Sequence, residues 1–255
     1  MLTRLRSWAS DRRYFYKVLW GKEGEYELRL LSKLVDRRRV AVDAGANQGI
    51  YSFHMSRFAP RVEAFEPNPI YWERLLRLGH KVKLHKVALS DRAGTARLNI
   101  PKGMGRPAEG WGTLENTKLE LDRSLEVAMR TLDSYSLDIG FLKIDVEGHE
   151  NTLLQGALET IKKSRPNILV ECEDQHRANA TSELFALFSK LNYRGFFFVK
   201  GQALPVENFE LARHQVAFGL KPGQHMARQE MDYVNNFVFV PFENPIVATF
   251  AKGGL

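Results

Sequence analysis

A chain of 255 residues with 44% hydrophobic and 26% charged side chains has the make-up of a globular enzyme, long enough for one large α/β domain. Its lone cysteine, Cys172, excludes an internal disulfide and a multi-cysteine zinc site, and no apolar run approaches the length of a membrane span. The net charge of +7 gathers toward the N-terminus and reads as a solvated basic face; no aromatic-interleaved signature accompanies it, so nucleic acid is a minority partner.

Residues 1–24 form a basic arm ahead of the folded domain, which occupies residues 25–255. In the arm, Arg4, Arg6, Arg12 and Arg13 are mixed with Trp8, and the apolar core of a secretory signal is missing. With so little cysteine, a reducing, cytoplasmic location is expected, the arm being free for weak contact with an anionic membrane surface. Glu25 to Val35 then places Leu28, Leu31, Leu34 and Val35 on one helical face. Val40 to Gly45 reads as a short buried strand ending in a glycine turn, with a helix from about Gly49. Val62 to Phe65 is a second strand, closed by Glu66-Pro-Asn-Pro, whose prolines force a turn before a helix over Tyr71 to Leu78. Lys81 to Leu89 reads as a third strand, and Thr95 to Ile100 alternates like another. Gly103 to Thr113 has no period and reads as a loop over the site. Phe141 to Val146 is a fourth core strand, followed by helical spacing from Leu153 to Ile161. Asn167 to Glu171 is a fifth, followed by a helix through Leu184 to Leu191, and Gly195 to Val199 and Asn236 to Val240 supply further strands. Strands alternating with helices predict an α/β fold with a mostly parallel central sheet and helices on both faces.

The informative stretch is Asp43-Ala-Gly-Ala-Asn-Gln-Gly. A strand, a glycine turn and a helix start suit a nucleotide-like ligand, because glycine admits close backbone approach and the helix start offers free N–H groups. The segment does not match G-x-G-x-x-G. It therefore suits a ligand with a carboxylate and no pyrophosphate, such as the methionine end of S-adenosylmethionine. Asp43, Gly45, Ala46, Asn47 and Gly49 are the candidates here, Asp43 either orienting the loop or accepting from the ligand's ammonium. Glu66 follows at about the 20-residue interval at which an acid reaches ribose hydroxyls, with Pro67 and Asn68 beside it. Ala88 and Leu89 are placed to sandwich an adenine or simply to fill the core.

Those residues also carry a resemblance. Asp43-Ala-Gly-Ala-Asn-Gln-Gly, Phe65-Glu-Pro-Asn-Pro, Val87-Ala-Leu-Ser-Asp, Thr131-Leu-Asp and Lys143-Ile-Asp-Val-Glu-Gly-His-Glu come in the order seen in FkbM-type methyltransferases, and Asn236-Phe-Val-Phe-Val-Pro resembles that family's closing strand. The resemblance covers roughly residues 25–241. It implies a class I (Rossmann-like) methyltransferase fold, S-adenosylmethionine as donor, and transfer to a hydroxyl on a sugar, glycolipid, polyketide or related metabolite.

A hydroxyl acceptor needs a general base, and Asp145, Glu147, His149 and Glu150 crowd the end of the fourth strand, where ligands bind in open α/β sheets. Asp145 is the first choice for a pocket residue touching the methionine ammonium or the acceptor. His149 is the best-suited base by its unperturbed pKa, or else a residue of the next helix's first turn. Glu147 is a catalytic candidate or holds structure. His176 is a second candidate base or a surface residue, and Trp111 and Thr113 are candidates for the acceptor wall. Glu171 or Glu173 would complete a divalent-metal set with this cluster, but no established ligand spacing is present, so no metal is assigned. Two rivals remain: an RNA or protein methyltransferase using the basic arm, and a non-catalytic nucleotide-binding module.

Overall fold

The computed structural model describes residues 2–20, 25–102, 109–116, 120–216 and 232–253, with backbone alone for residues 2–10 and 109. The arm's first ten side chains and most of the predicted loop from Gly103 therefore lie outside the described residues. Helix α1 (Leu2–Trp20) buries Phe15, whose ring lies 5.0 Å from that of Phe53. A 3-10 turn (Tyr26–Leu30) leads into α2 (Leu31–Leu34), in place of one continuous helix. There follow β1 (Val40–Ala44), α3 (Ile50–Met55), β2 (Val62–Phe65), α4 (Trp72–Leu76), β3 (Val82–His85), β4 (Ala88–Leu89), β5 (Gly94–Pro101), β6 (Leu121–Arg130) and β7 (Ile139–Ile144). After them come α5 (Glu150–Gln155), α6 (Leu158–Ser164), β8 (Asn167–Glu171), α7 (Ala180–Lys190), β9 (Tyr193–Val199), β10 (Gln202–Pro205), α8 (Leu211–His214), β11 (Asn236–Pro241) and α9 (Ile246–Ala251). No helix among the described residues is long and apolar enough to cross a membrane.

Eight strands form one sheet in the order β10-β9-β11-β8-β7-β1-β2-β3. The strands β3, β2, β1, β7 and β8 run parallel, while β11 is antiparallel to both β8 and β9. Apolar residues alternate between two cores, as a sheet covered on both faces demands. Val42, Ala44, Leu142, Ile144, Ile168 and Val170 pack with Leu153, Ile161, Leu184 and Phe188 of α5–α7. Ala41, Phe141 and Leu169 pack on the other face with Leu31, Met55, Leu75 and Phe250 of α2, α3, α4 and α9.

Chain order reverses between β1 and β7, with β2 on one side and β7 on the other, which opens a crevice at the carboxyl ends. The register sets Ala44 opposite both Phe65 and Ile144, so the residues following all three strands emerge level. Two expectations need correction. The stretch Lys81 to Leu89 is two strands: β3 follows β2 until the Glu66 N–H meets the His85 carbonyl at 3.0 Å, after which β2 has turned away. Its continuation, β4, pairs with β6 in a separate three-stranded sheet, β4-β6-β5. The helical run from Leu153 to Ile161 breaks at Gly156, where a Cβ would stand 2.0 Å from the Ser90 carbonyl oxygen; α6 restarts with Asp133 accepting from the N–H groups of Glu159 and Thr160.

Candidate active site

At the tip of β1 the chain is turned by two left-handed glycines, Gly45 (φ +76°) and Gly49 (φ +83°), with Asn47 between them also left-handed. The neighbours of these glycines are protein. A Cβ on Gly45 would lie 1.8 Å from the Asp145 carbonyl oxygen, and one on Gly49 would strike Leu78 and Leu75 at 2.7 and 2.9 Å. Each glycine is thus needed for the close approach of β7 or of the α4 end. Gly49 and Ala46 do not line the cleft; Ala46 is buried in the core.

Glu66 is fixed by the loop on either side of it. Its carboxylate accepts from the N–H of Asn47 and from the N–H of Asn68, both at 2.7 Å. It is 5% exposed, and burial, opposed by those two N–H groups, pushes its pKa up to about 7. An ionised carboxylate has about four acceptor positions; two are used here, and the group lines the cleft with the others to offer. Asn68 also caps the turn at Pro69 by accepting from the Ile70 N–H at 3.2 Å.

At the tip of β7, Lys143 is almost fully buried and donates to Asp145 at 2.8 Å, with Asp43 at 4.0 Å on its other side. Burial works against the ammonium, yet the two carboxylates hold its pKa above the ordinary value. Asp43 is fully buried behind the loop. One of its oxygens accepts from Ser52 at 2.6 Å, and the other has no hydrogen-bond partner among the described residues. Asp43 does not line the cleft. Asp145 does line it.

Glu147 takes a left-handed conformation (φ +52°), as does Gly148 (φ +97°), and the chain doubles back into α5. Its carboxyl pKa is well above the usual range, through burial first and then the negative charges of Asp145, Glu171, Glu150 and Glu173. His176 lies 3.4 Å from it. Glu150 secures the turn by accepting from the Gly148 N–H at 2.8 Å, and burial pushes its pKa to about 7. Among the described residues, no three metal-ligating side chains converge. His149 stands at the N-cap of α5 with both ring nitrogens engaged. Nδ1 lies 2.7 Å from Glu115 Oε1, and Nε2 lies 2.9 Å from Ser90 Oγ.

One cleft, holding about 590 Å³ of empty space with its mouth, joins these groups. Gly45, Asn47, Glu66, Pro67, Asn68, Ala88, Asp145, Glu147 and His149, all proposed from sequence, line it. The far wall comes from the segment before β6, but with the opposite parity from that expected: Gly110, Gly112 and Leu114 face the cleft, whereas Trp111 and Thr113 do not. Thr113 instead donates to the Glu147 carbonyl at 2.6 Å and pairs with Asn99 of β5. Sequence reasoning missed Glu115, Ser90, Tyr71 and Leu98. Only the acidic character of Glu115 offered a signal, and nothing in its neighbourhood joined it to His149.

A crevice at the switch point of a parallel sheet, with an acid at the second strand's tip, is the site of a class I methyltransferase fold. Residues 43–195 match the family described as the methyltransferase FkbM domain, and the chain belongs to that family. It is 30% identical over 167 residues to methyltransferase sdnD of Sordaria araneosa, covering 51% of this chain and 64% of that protein. It is 28% identical over 173 residues to 2-O-methyltransferase NoeI of Sinorhizobium fredii (strain NBRC 101917 / NGR234), covering 60% and 70%. The crystal structure of the methyltransferase FkbM from Methylobacillus flagellatus KT shares the fold, with a TM-score of 0.53 at 15% identity over 89% of this chain and 50% of that one. The chain thus spans less than two thirds of sdnD and half of the Methylobacillus protein.

Family and fold imply S-adenosylmethionine as the methyl donor. The residues present fit it. Glu66 keeps acceptor capacity for two hydroxyls, and the buried side-chain oxygen of Asn47, in the same lining, lacks a hydrogen-bond partner among the described residues. A ligand rich in donors would satisfy both.

Proposed function

We propose that this chain transfers a methyl group from S-adenosylmethionine to a hydroxyl oxygen of a sugar, glycolipid, polyketide or related metabolite, with His149 as general base. The observation that carries this reading is the sharing of one cleft wall by His149 and the donor-type residues Glu66, Asn47 and Asp145. Glu66 holds the ribose hydroxyls, Asn47 and Asp145 meet the amino-acid end, and Ala88 packs on the base. The bound donor supplies a methyl group on a positive sulfur, which an acceptor oxygen can take only as its proton leaves. Among the cleft's titratable groups, Asp145 is paired with Lys143, the Glu147 carboxyl is raised in pKa by burial and its acidic neighbours, and Glu66 is taken up by the donor's ribose. His149 is left to receive the acceptor's proton on Nε2. The Ser90 hydroxyl, which occupies Nε2 in the free protein, has a second partner in Asp91 Oδ1 at 3.1 Å and can turn to it. That NoeI is named a 2-O-methyltransferase supports an oxygen acceptor. On this reading residues 25–255 work as one catalytic domain.

The test is a labelled-methyl transfer screen over sugars, glycolipids and polyketide-like alcohols, run beside calorimetric titration with S-adenosylmethionine and NAD. Binding of NAD without S-adenosylmethionine would sink the reading. On an identified acceptor, His149→Ala is expected to lower turnover by about 10²–10⁴-fold while leaving donor affinity within about twofold. Full turnover in that variant removes His149 as base.

A further inference from the structure

We propose that Glu115 is the positioning residue of this site: its carboxylate keeps the proton of His149 on Nδ1, so that Nε2 is the basic nitrogen offered to the acceptor. The inference rests on the reading of His149 as base. It is carried by an arrangement that neither residue's sequence neighbourhood announces.

Three restraints fix Glu115. Its N–H donates to Thr113 Oγ1 at 3.1 Å, and its carbonyl accepts from the Asn99 side chain at 3.2 Å. Thr113 in turn is bonded to the Glu147 carbonyl at 2.6 Å, tying this segment to the turn that carries His149. The carboxyl oxygen meets Nδ1 at 2.7 Å, the length of a charge-assisted bond. The hydrogen bond from His149 is the main cause holding the Glu115 carboxyl below its usual range, with burial acting against it.

An ionised carboxylate only accepts, so the ring nitrogen facing it must carry a hydrogen. The neutral imidazole is thereby held with Nδ1 protonated and Nε2 free to accept, the logic by which a buried acid orients a catalytic histidine. At Nε2, Ser90 adapts to either charge state. Its hydroxyl donates to neutral His149; once Nε2 holds a proton, the oxygen accepts from it and donates to Asp91. The charge that forms sits at the start of α5, where the backbone N–H groups disfavour a cation. Glu115 offsets that cost. Such a residue acts through His149 and touches neither donor nor acceptor.

The test is nitrogen NMR of the protein labelled in its histidine rings, with the His149 signal assigned by its loss in His149→Gln, together with kinetics on the acceptor found above. The wild type is expected to show His149 with Nδ1 protonated and Nε2 bare. Glu115→Ala should convert it to a mixture of tautomers and lower kcat by about 10–100-fold, with KM for S-adenosylmethionine unchanged. Glu115→Gln keeps the volume of the side chain and guards against a folding defect; its kcat should fall in the same direction by a smaller factor. A wild-type His149 protonated on Nε2 overturns the assignment of Glu115. Glu115→Gln with wild-type kcat, or Glu115→Ala with its tautomer and kcat intact, does the same. Loss of the tautomer without loss of kcat retains the hydrogen bond but refutes His149 as base, so the two failures are told apart.

Discussion

Lowering the pH from 8 to 6 is expected to weaken S-adenosylmethionine binding about tenfold, and Glu66 is the reason. On the proposed reading two ribose hydroxyls need acceptors; each Glu66 oxygen already takes one N–H, and protonation would turn one of them into a donor, so the ionised carboxylate is the competent form. Burial has raised the Glu66 pKa to about 7, so at pH 6 roughly nine in ten free molecules hold a proton there. The ligand must expel that proton, and its apparent affinity falls with the competent fraction. At pH 8 the same fraction is roughly nine tenths ionised, and little further gain is available. Stability runs the opposite way in the free protein. The folded chain holds at Glu66 a proton that the unfolded chain releases near its ordinary 4.5, so this contribution is complete below that pH and is lost as pH rises through about 7. The loss amounts to about 3 kcal/mol. Calorimetric titration at pH 6, 7 and 8, with melting curves with and without donor, checks both signs. The donor's amino group titrates near pH 8, so Glu66→Gln is measured over the same range and should bind more weakly with a flatter profile. An unchanged Kd between pH 6 and 8 in the wild type, or an equal slope in Glu66→Gln, refutes the argument.

Lys143→Met leaves Asp43 and Asp145 without their shared cation. It is expected to cost about 3–5 kcal/mol, because a buried charge is then uncompensated, and denaturant unfolding measures it. Glu150→Gln keeps an acceptor for the Gly148 N–H but removes a carboxyl that burial holds near pKa 7. Its melting temperature should match the wild type at pH 5 and exceed it at pH 8 by the equivalent of at most about 3 kcal/mol; a pH-independent difference would contradict the assignment.

The parts of the site legible in the sequence are those where a polar residue interrupts an apolar strand. Asp43, Glu66 and Asp145 end runs such as Val40 to Val42 and Phe141 to Ile144, and a strand-end acid in an α/β chain has few places to go. What stayed hidden depends on pairing across distance. Glu115 and Ser90 lie 34 and 59 positions from His149 and are placed by the smaller sheet: Ser90 follows β4, which pairs with β6, and Glu115 is held by Asn99 of β5. β6 itself carries little strand signal, since Asp122, Arg123 and Glu126 lie along it and only Val127 and Met129 are buried. The parity of residues 110–115 is hidden for the same reason: without the Asn99–Thr113 bridge, nothing says which side of the segment faces inward. The two glycines are legible as a turn, but the protein atoms they admit, from Asp145 and the end of α4, come from distant parts of the chain and are not.

The charges around the β7 tip complete the argument. A methyl leaving a sulfonium cancels its positive charge, so uncompensated anions beside the sulfur would stabilise the ground state and slow the reaction. The sequence places Asp43, Asp145, Glu147 and Glu150 at this point, which read alone is a strongly negative pocket. The fold offsets part of that charge. Lys143 sits between the two aspartates, burial and acidic neighbours raise the Glu147 pKa, and Glu150 is engaged by the Gly148 turn. On the proposed reading Glu66 carries its charge at the ribose end, and Glu115 adds one that faces His149 on the nitrogen that does not meet the acceptor. On that reading the Glu115 charge stands where a positive one appears as the proton transfers, on the side of the base, and so favours methyl transfer to a hydroxyl without adding to the charge at the ribose end.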